Sequence, residues 1–280
     1  MRPVDGPAVI RKGSHSMSLL RLARLVVITG AAALAACSTT YIAPGPKADL
    51  QAFMPAASPD AGASAPRRGG GAPSIEASFA AKPAAGFPAS IAFVRLQAPS
   101  YTNWRLREPD ASASGGRYSV VLTREAGEDA QLDRIAQLPQ VAGVTGLSRM
   151  LLPARLDGDR EIRQAAARLQ ADMVFLYTFD TSFHHTDASR PLSVVTLGLS
   201  PTRRISVTTT VSALLMDTRT RYIYATNEAT KTTETHATSW GSGDTADEAR
   251  RQNERDAFAQ MADEFAKSWP RLVERYQKNG

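Results

Sequence analysis

Cysteine is nearly absent from this 280-residue chain, where Cys37 stands alone. One thiol cannot close an intramolecular disulfide, so stability has to come from a packed core. Histidine is scarce as well, with only His15, His184, His185 and His236. No Gly-x-Ser-x-Gly elbow occurs and no glycine-rich phosphate loop follows a strand pattern, so no hydrolase nucleophile or nucleotide cradle is written in the sequence. The apolar run from Leu25 to Ala36 falls short of the roughly 20 residues a membrane-spanning helix needs. A real excess of one charge is missing too. The formal charge is +6, but residues 1–36 contribute five bases (Arg2, Arg11, Lys12, Arg21, Arg24) and one acid (Asp5). The remainder carries 28 basic and 26 acidic side chains, a net of +2. That balance lacks the basic footprint of a nucleic-acid binder, and no nucleic-acid partner is expected. Arg67-Arg68 and Arg203-Arg204 read as solvated tether and turn charges.

What is there begins at the N-terminus. Arg21 and Arg24 precede an apolar run that ends in small residues, the order of a secretory signal. The run closes on Leu34-Ala35-Ala36-Cys37, which resembles the lipobox of bacterial lipoproteins. The resemblance implies a diacylglyceryl group on the Cys37 sulfur, cleavage after Ala36 and acylation of the new amine. Ser38, rather than Asp, implies sorting to the outer membrane. The domain is expected to face the periplasm, an orientation that no residue by itself fixes. Residues 1–36 are read as signal peptide, its start placed at Met17. More than one acyl chain, at about 0.8 kcal/mol per buried methylene, would make the anchorage durable.

From 37 to 87 the composition turns to Ala, Pro, Gly and Ser, with Gly69-Gly70-Gly71 in the middle. Such a stretch buries too little apolar surface to offset its ordering entropy and is predicted to be a disordered tether. About 50 residues of this kind reach roughly 40 Å. The globular domain is placed at 88–280.

Ile91–Leu96 is apolar on both alternating faces, as in a strand covered on two sides. Tyr118–Thr123 predicts a second strand; Leu132, Ile135 and Ala136 mark a short helix stopped by Pro139; Val141–Arg149 predicts a third strand. Ile162, Ala165, Ala166 and Leu169 make the buried stripe of a helix capped by Asp157 or Asp159, with Arg160, Glu161, Arg163, Gln164 and Arg168 toward water. Met173–Phe179 predicts a central strand. Alternating residues from Ile205 to Leu215 predict a long strand, joined through Asp217–Arg221 to an antiparallel return over Tyr222–Lys231. Gly241–Asp244 reads as the loop before a last helix, on which Thr245 and Glu248 have capping-box spacing. Phe258, Met261, Phe265, Trp269, Leu272 and Tyr276 form its apolar stripe, and Pro270 predicts a kink or a restart capped by Ser268. The fold class expected is α/β (α+β): a mixed sheet with packed helices, a C-terminal hairpin and a long final helix.

The run "RQAAARLQADMVFLYTF" at Arg163–Phe179 is similar to the helix-then-strand element of CsgG-like and TolB amino-terminal-like envelope domains, which read Leu-Gly-Ala-Asp before an apolar strand. The turn "MDTRTRYIY" at Met216–Tyr224 resembles their Asp-x-x-Thr-Gly turn. Two positions depart from the pattern, Gln170 and Arg221, each where glycine is usual. The resemblance spans 88–278. It implies a small α/β domain that docks in envelope assemblies, and it carries over no catalytic residue.

Other candidates for chemistry are few. His184-His185-x-Asp187, with Asp180 upstream, is the most suggestive cluster, but neighbouring strand residues point to opposite faces and zinc needs three or four converging ligands. It reads as a polar strand-to-loop transition, with no metal and no cofactor. Glu254 and Asp256, among Arg250, Arg251 and Arg255, read as a solvated ion-pair face. The Thr/Ser-rich hairpin 205–233 reads as part of a soluble sheet rather than a membrane barrel, which needs a lipid-facing apolar band with aromatic girdles. The function expected is non-enzymatic: an outer-membrane lipoprotein that docks an envelope protein partner. An oligomeric CsgG-like secretion or structural component, hence a homo-oligomer, is the alternative. A hydrolase with an unrecognised site is third.

Overall fold

The computed structural model describes residues 47–49, 75–99, 116–121, 127–187, 203–238 and 242–277. All belong to one compact unit, Tyr41–Gly280. In chain order its elements are α1 (Ile75–Ala80), β1 (Ala89–Gln97), β2 (Ser119–Val121), α2 (Glu128–Ala136), β3 (Val141–Gly146), a 3-10 turn (Arg149–Leu151), α3 (Asp159–Arg168), β4 (Met173–Asp187), β5 (Arg203–Asp217), β6 (Ile223–Ala237) and α4 (Ser242–Gln277). Together they make the mixed α/β sheet with packed helices that the alternation of apolar patterns predicts.

The strands run in the order β2-β1-β4-β5-β6. β1 lies parallel to β4, while β4, β5 and β6 form an antiparallel meander. The other edge of β1 is shared: β3 pairs in parallel with its first half and β2 antiparallel with its last three residues. β1 and β4 are covered on both faces, which is why their sequences lack alternation. On one face Ile91, Phe93, Met173, Phe175, Tyr177 and Phe179 meet Phe258, Met261, Phe265 and Trp269 of α4 and Leu132 and Ile135 of α2. On the other, Ala92, Val94, Val174 and Leu176 meet Ile162, Ala165 and Ala166 of α3. Fully burying a side chain the size of Ile162 contributes about 1.5–3 kcal/mol.

Several boundaries differ from the sequence reading. The apolar segment beginning at Met173 does not give way to a loop after Phe179: β4 runs on to Asp187 because β5 pairs with it along its whole length. β6 likewise extends to Ala237 rather than stopping near Lys231. Leu169 is not in the α3 stripe; it is the C-terminal cap residue and 37% exposed. The N-cap of α3 is Gly158, and no side chain caps it. Asp157 accepts instead from the Arg117 amide, and Asp159 is buried against Arg163 and Arg221.

α4 begins at Ser242, so Thr245 lies inside it and no capping box forms; Glu248 pairs with Arg251. The helix is continuous over 36 residues through Pro270. Ser268 does not restart it, since its hydroxyl donates to the Phe265 carbonyl. Pro270 lies on the exposed side, where loss of one backbone donor is tolerated best.

Composition predicts tether throughout 37–87, yet its described residues make specific contacts. Lys47 bridges to Gln97, and buried Ala48 donates its amide to Thr178 Oγ1. Residues 75–80 are helical, and the strap at 84–87 is held to the hairpin turn. Low-complexity composition does not reveal such contacts, because the partner groups lie far away in sequence.

Candidate functional site

Cys37, Arg67 and Arg68 lie outside the described residues. His184 stands on β4 with an exposed side chain, opposite Ser206, which in turn faces Glu234 of β6. His236 is brought to the same end of the sheet, on β6 opposite Arg204. Among the described residues no group of three His, Cys, Asp or Glu side chains is placed to hold a metal ion. The cluster at 180–187 is therefore a strand continuing into the open part of the sheet, not the strand-to-loop transition expected of it.

The acids on the last helix require a correction. Asp256 is exposed, but Glu254 is 1% exposed and does not belong to a solvated face. Its carboxylate accepts from Arg250 Nη1 at 2.9 Å and lies 3.7 Å from Arg95 Nη2. Arg95 also meets Glu128 of α2 at 3.3 Å and stacks its guanidinium 4.5 Å from the Phe179 ring centre. Arg250 reaches back to Asp247 at 2.9 Å. These five ionised side chains from β1, α2 and α4 are all nearly inaccessible. Such a network ties two helices to the sheet, and each charge is compensated locally. The sequence carries one signal of it: Arg95 interrupts an otherwise apolar strand at an inward-facing position.

A second polar hub sits at the β5–β6 turn. The buried carboxylate of Asp217 accepts from the Arg219 and Thr220 amides on one oxygen, and from the Ala84 and Ala85 amides and the Tyr224 hydroxyl on the other. Burial alone pushes its pKa up. The hydrogen bonds from Thr220, Tyr224, Ala84 and Arg219 outweigh burial and hold the carboxyl below its ordinary value. Burial first, and then the same contact, push the Tyr224 phenol well up. Burial also raises Tyr118 to about 12. The Tyr222 hydroxyl is raised first by its bond to Tyr276 Oη at 3.0 Å, then by burial. These are closed, satisfied arrangements that position backbone; they present no free nucleophile or base to solvent.

The open surface lies elsewhere. β4, β5 and β6 are each 15 residues long, against nine for β1, so their far ends outrun the α3 side of the sheet. One face there is packed: Ile205 and Val207 bury against Ala246 and Ala249 of α4. The opposite face is polar and accessible, with Ser182, His184, Arg204, Glu228, Thr230, Thr232, Glu234 and His236 exposed. Cross-strand hydroxyl pairs stiffen it, Thr208 with Thr232 at 3.0 Å and Thr210 with Thr230 at 2.9 Å. A rigid, polar three-strand ribbon can offer side chains and a backbone edge to another chain. No family model matches the protein, and no curated protein matches it.

Proposed function

We propose that the chain is a lipoprotein anchored to the outer membrane through acylated Cys37, its domain facing the periplasm as a non-enzymatic docking module for an envelope protein. The lipobox at Leu34–Cys37 supports the anchor, and the CsgG-like and TolB amino-terminal-like motifs support the envelope setting. The observation that carries the docking reading is the exposed β4–β5–β6 ribbon: three long strands held rigid by α4 on one face and open to solvent on the other. The buried charges are spent on one another, which suits a scaffold better than a reaction centre.

The anchor is tested with Cys37→Ala, which is expected to abolish incorporation of labelled fatty acid and membrane partition. Unchanged labelling would overturn it. The oligomeric CsgG-like alternative is favoured by one specific feature, the 15-residue β5–β6 hairpin, since long hairpins can be shared between copies. Light scattering on the detergent-extracted protein separates the two readings: a monomer supports docking, and a closed ring supports the assembly.

A further inference from the structure

β6 is the last strand of the sheet, and it is long. It pairs inward with β5 from Ile223 to Ala237, and among the described residues no strand pairs with its outer edge. That leaves a row of backbone donors and acceptors roughly 50 Å long at about 3.4 Å per residue. Exposed edges of this length are normally blunted by proline, by bulges, by charged side chains or by covering elements, and on β6 the charges Glu228, Lys231 and Glu234 are the device present. Here no proline interrupts the strand, and the register shift falls at its beginning, beside Leu215 and Met216. From Ala225 to Ala237 the edge is regular and threonine-rich, and no described strand pairs with it.

Charge decides what fits beside it. Glu228 and Glu234 are exposed on the open face of β6. On the other side an open groove of about 470 Å³ separates Lys231 from the flank of α4, where Asp256, Gln260, Asp263, Glu264 and Lys267 line it. Five carboxylates thus flank the edge against two lysines, with Asp263 already joined to Arg134 at 2.6 Å. Arg204 and His236 lie at the far end of the strand, beyond the acidic stretch. A second copy of the chain would lay this acidic edge along itself. In the antiparallel register centred on Lys231, Glu228 of each copy would stand opposite Glu234 of the other, and like charges directly across are destabilising.

We propose that the outer edge of β6 is a strand-addition site for an extended, basic segment of a protein partner. Backbone hydrogen bonds supply register, one set of alternate side chains lies beside Glu228 and Glu234, and the other set enters the groove toward Asp256 and Glu264. This inference rests on the docking reading above and names its surface.

The probe is an alternating lysine–valine peptide of about eight residues, added to the full-length protein. Hydrogen exchange is expected to slow within 223–237 and nowhere else. A glutamate–valine peptide should not bind, and neither should the lysine peptide with a central proline. The double substitution Glu228→Lys with Glu234→Lys should weaken binding by roughly tenfold or more. Unchanged exchange in β6 at saturating peptide, or equal binding of the acidic peptide, overturns the proposal. In intact cells, a photo-crosslinking side chain at Thr232 is compared with one at Met150, a 93% exposed position on the turn after β3. Crosslinks to another protein at Thr232 that E228K/E234K abolishes support strand addition. Self-crosslinks at Thr232 overturn it in favour of pairing between copies. Partner crosslinks at Met150 alone overturn strand addition and leave the docking reading standing, and crosslinks at neither position defeat both.

Discussion

Asp217→Asn is the most discriminating perturbation of the fold. The carboxylate accepts five hydrogen bonds, three of them on the oxygen that faces the strap and Tyr224. An asparagine keeps one acceptor oxygen. The local turn to Arg219 and Thr220 is the cheaper set to retain, so the amide NH2 would face the Ala84 and Ala85 amides and the Tyr224 hydroxyl, donor against donor. Hydrogen bonds to a charged group contribute about 1.5–3 kcal/mol each. Ala84 is exposed, so its amide recovers water, whereas Tyr224 is 8% exposed and cannot recover it fully. The expected loss is about 3 kcal/mol in urea unfolding at neutral pH, with faster amide exchange at 84–87. The pH dependence carries a sign. Because the folded carboxyl titrates below its ordinary value, its contribution is full above about pH 4, the unfolded value, and is lost as the pH falls through the folded one. The gap between the two proteins should therefore be constant from pH 7 to pH 5 and narrow below about 4. A loss under about 1 kcal/mol, or a gap that does not change in acid, would refute the assignment of Asp217 as a charged hub.

Other predictions concern backbone and buried charge. Gln170 has φ 56° and an exposed side chain, so Gln170→Gly relieves a left-handed conformation and should raise stability by about 0.5–1 kcal/mol in urea unfolding. Arg221 has φ 64°, but its Nε lies 2.8 Å from buried Asp159; Arg221→Gly should therefore gain nothing or lose about 1 kcal/mol. Equal gains at both positions would show that the Asp159 pair contributes little. Glu128→Ala removes the nearer of the two described carboxylates beside buried Arg95, at 3.3 Å against 3.7 Å for Glu254, and should cost about 3 kcal/mol in thermal or urea unfolding. A cost below about 1 kcal/mol would mean that the network relaxes toward water.

These two positive-φ positions bear on how much was legible beforehand. Gln140 adopts a left-handed φ as well, and nothing in the sequence points to it, whereas Gln170 and Arg221 stand out in the sequence as positions where glycine is expected. The β5–β6 turn, the α3 stripe at Ile162, Ala165 and Ala166, the doubly covered β1 and the aromatic face of α4 were readable in the same way. Each rests on periodicity or on a local backbone requirement that neighbouring residues express directly.

What lay beyond the sequence depended on distant partners. Nothing local distinguishes buried Glu254 from exposed Asp256, two residues away on one charged helix. The difference is that Arg95 of β1, itself paired with Glu128 of α2, lies beside one of them. Nothing local stops a strand at Phe179 or carries it to Asp187; the length of β5 does so through pairing. The α/β class and the main hydrophobic faces are thus readings the sequence makes by itself, because apolar spacing encodes them; the anchor at Cys37 is proposed from a short motif alone. Only the tertiary structure decides which charges are buried, how far the three-strand ribbon extends and that β6 is the last strand among the described residues, since each is a property of contacts between segments rather than of any one segment.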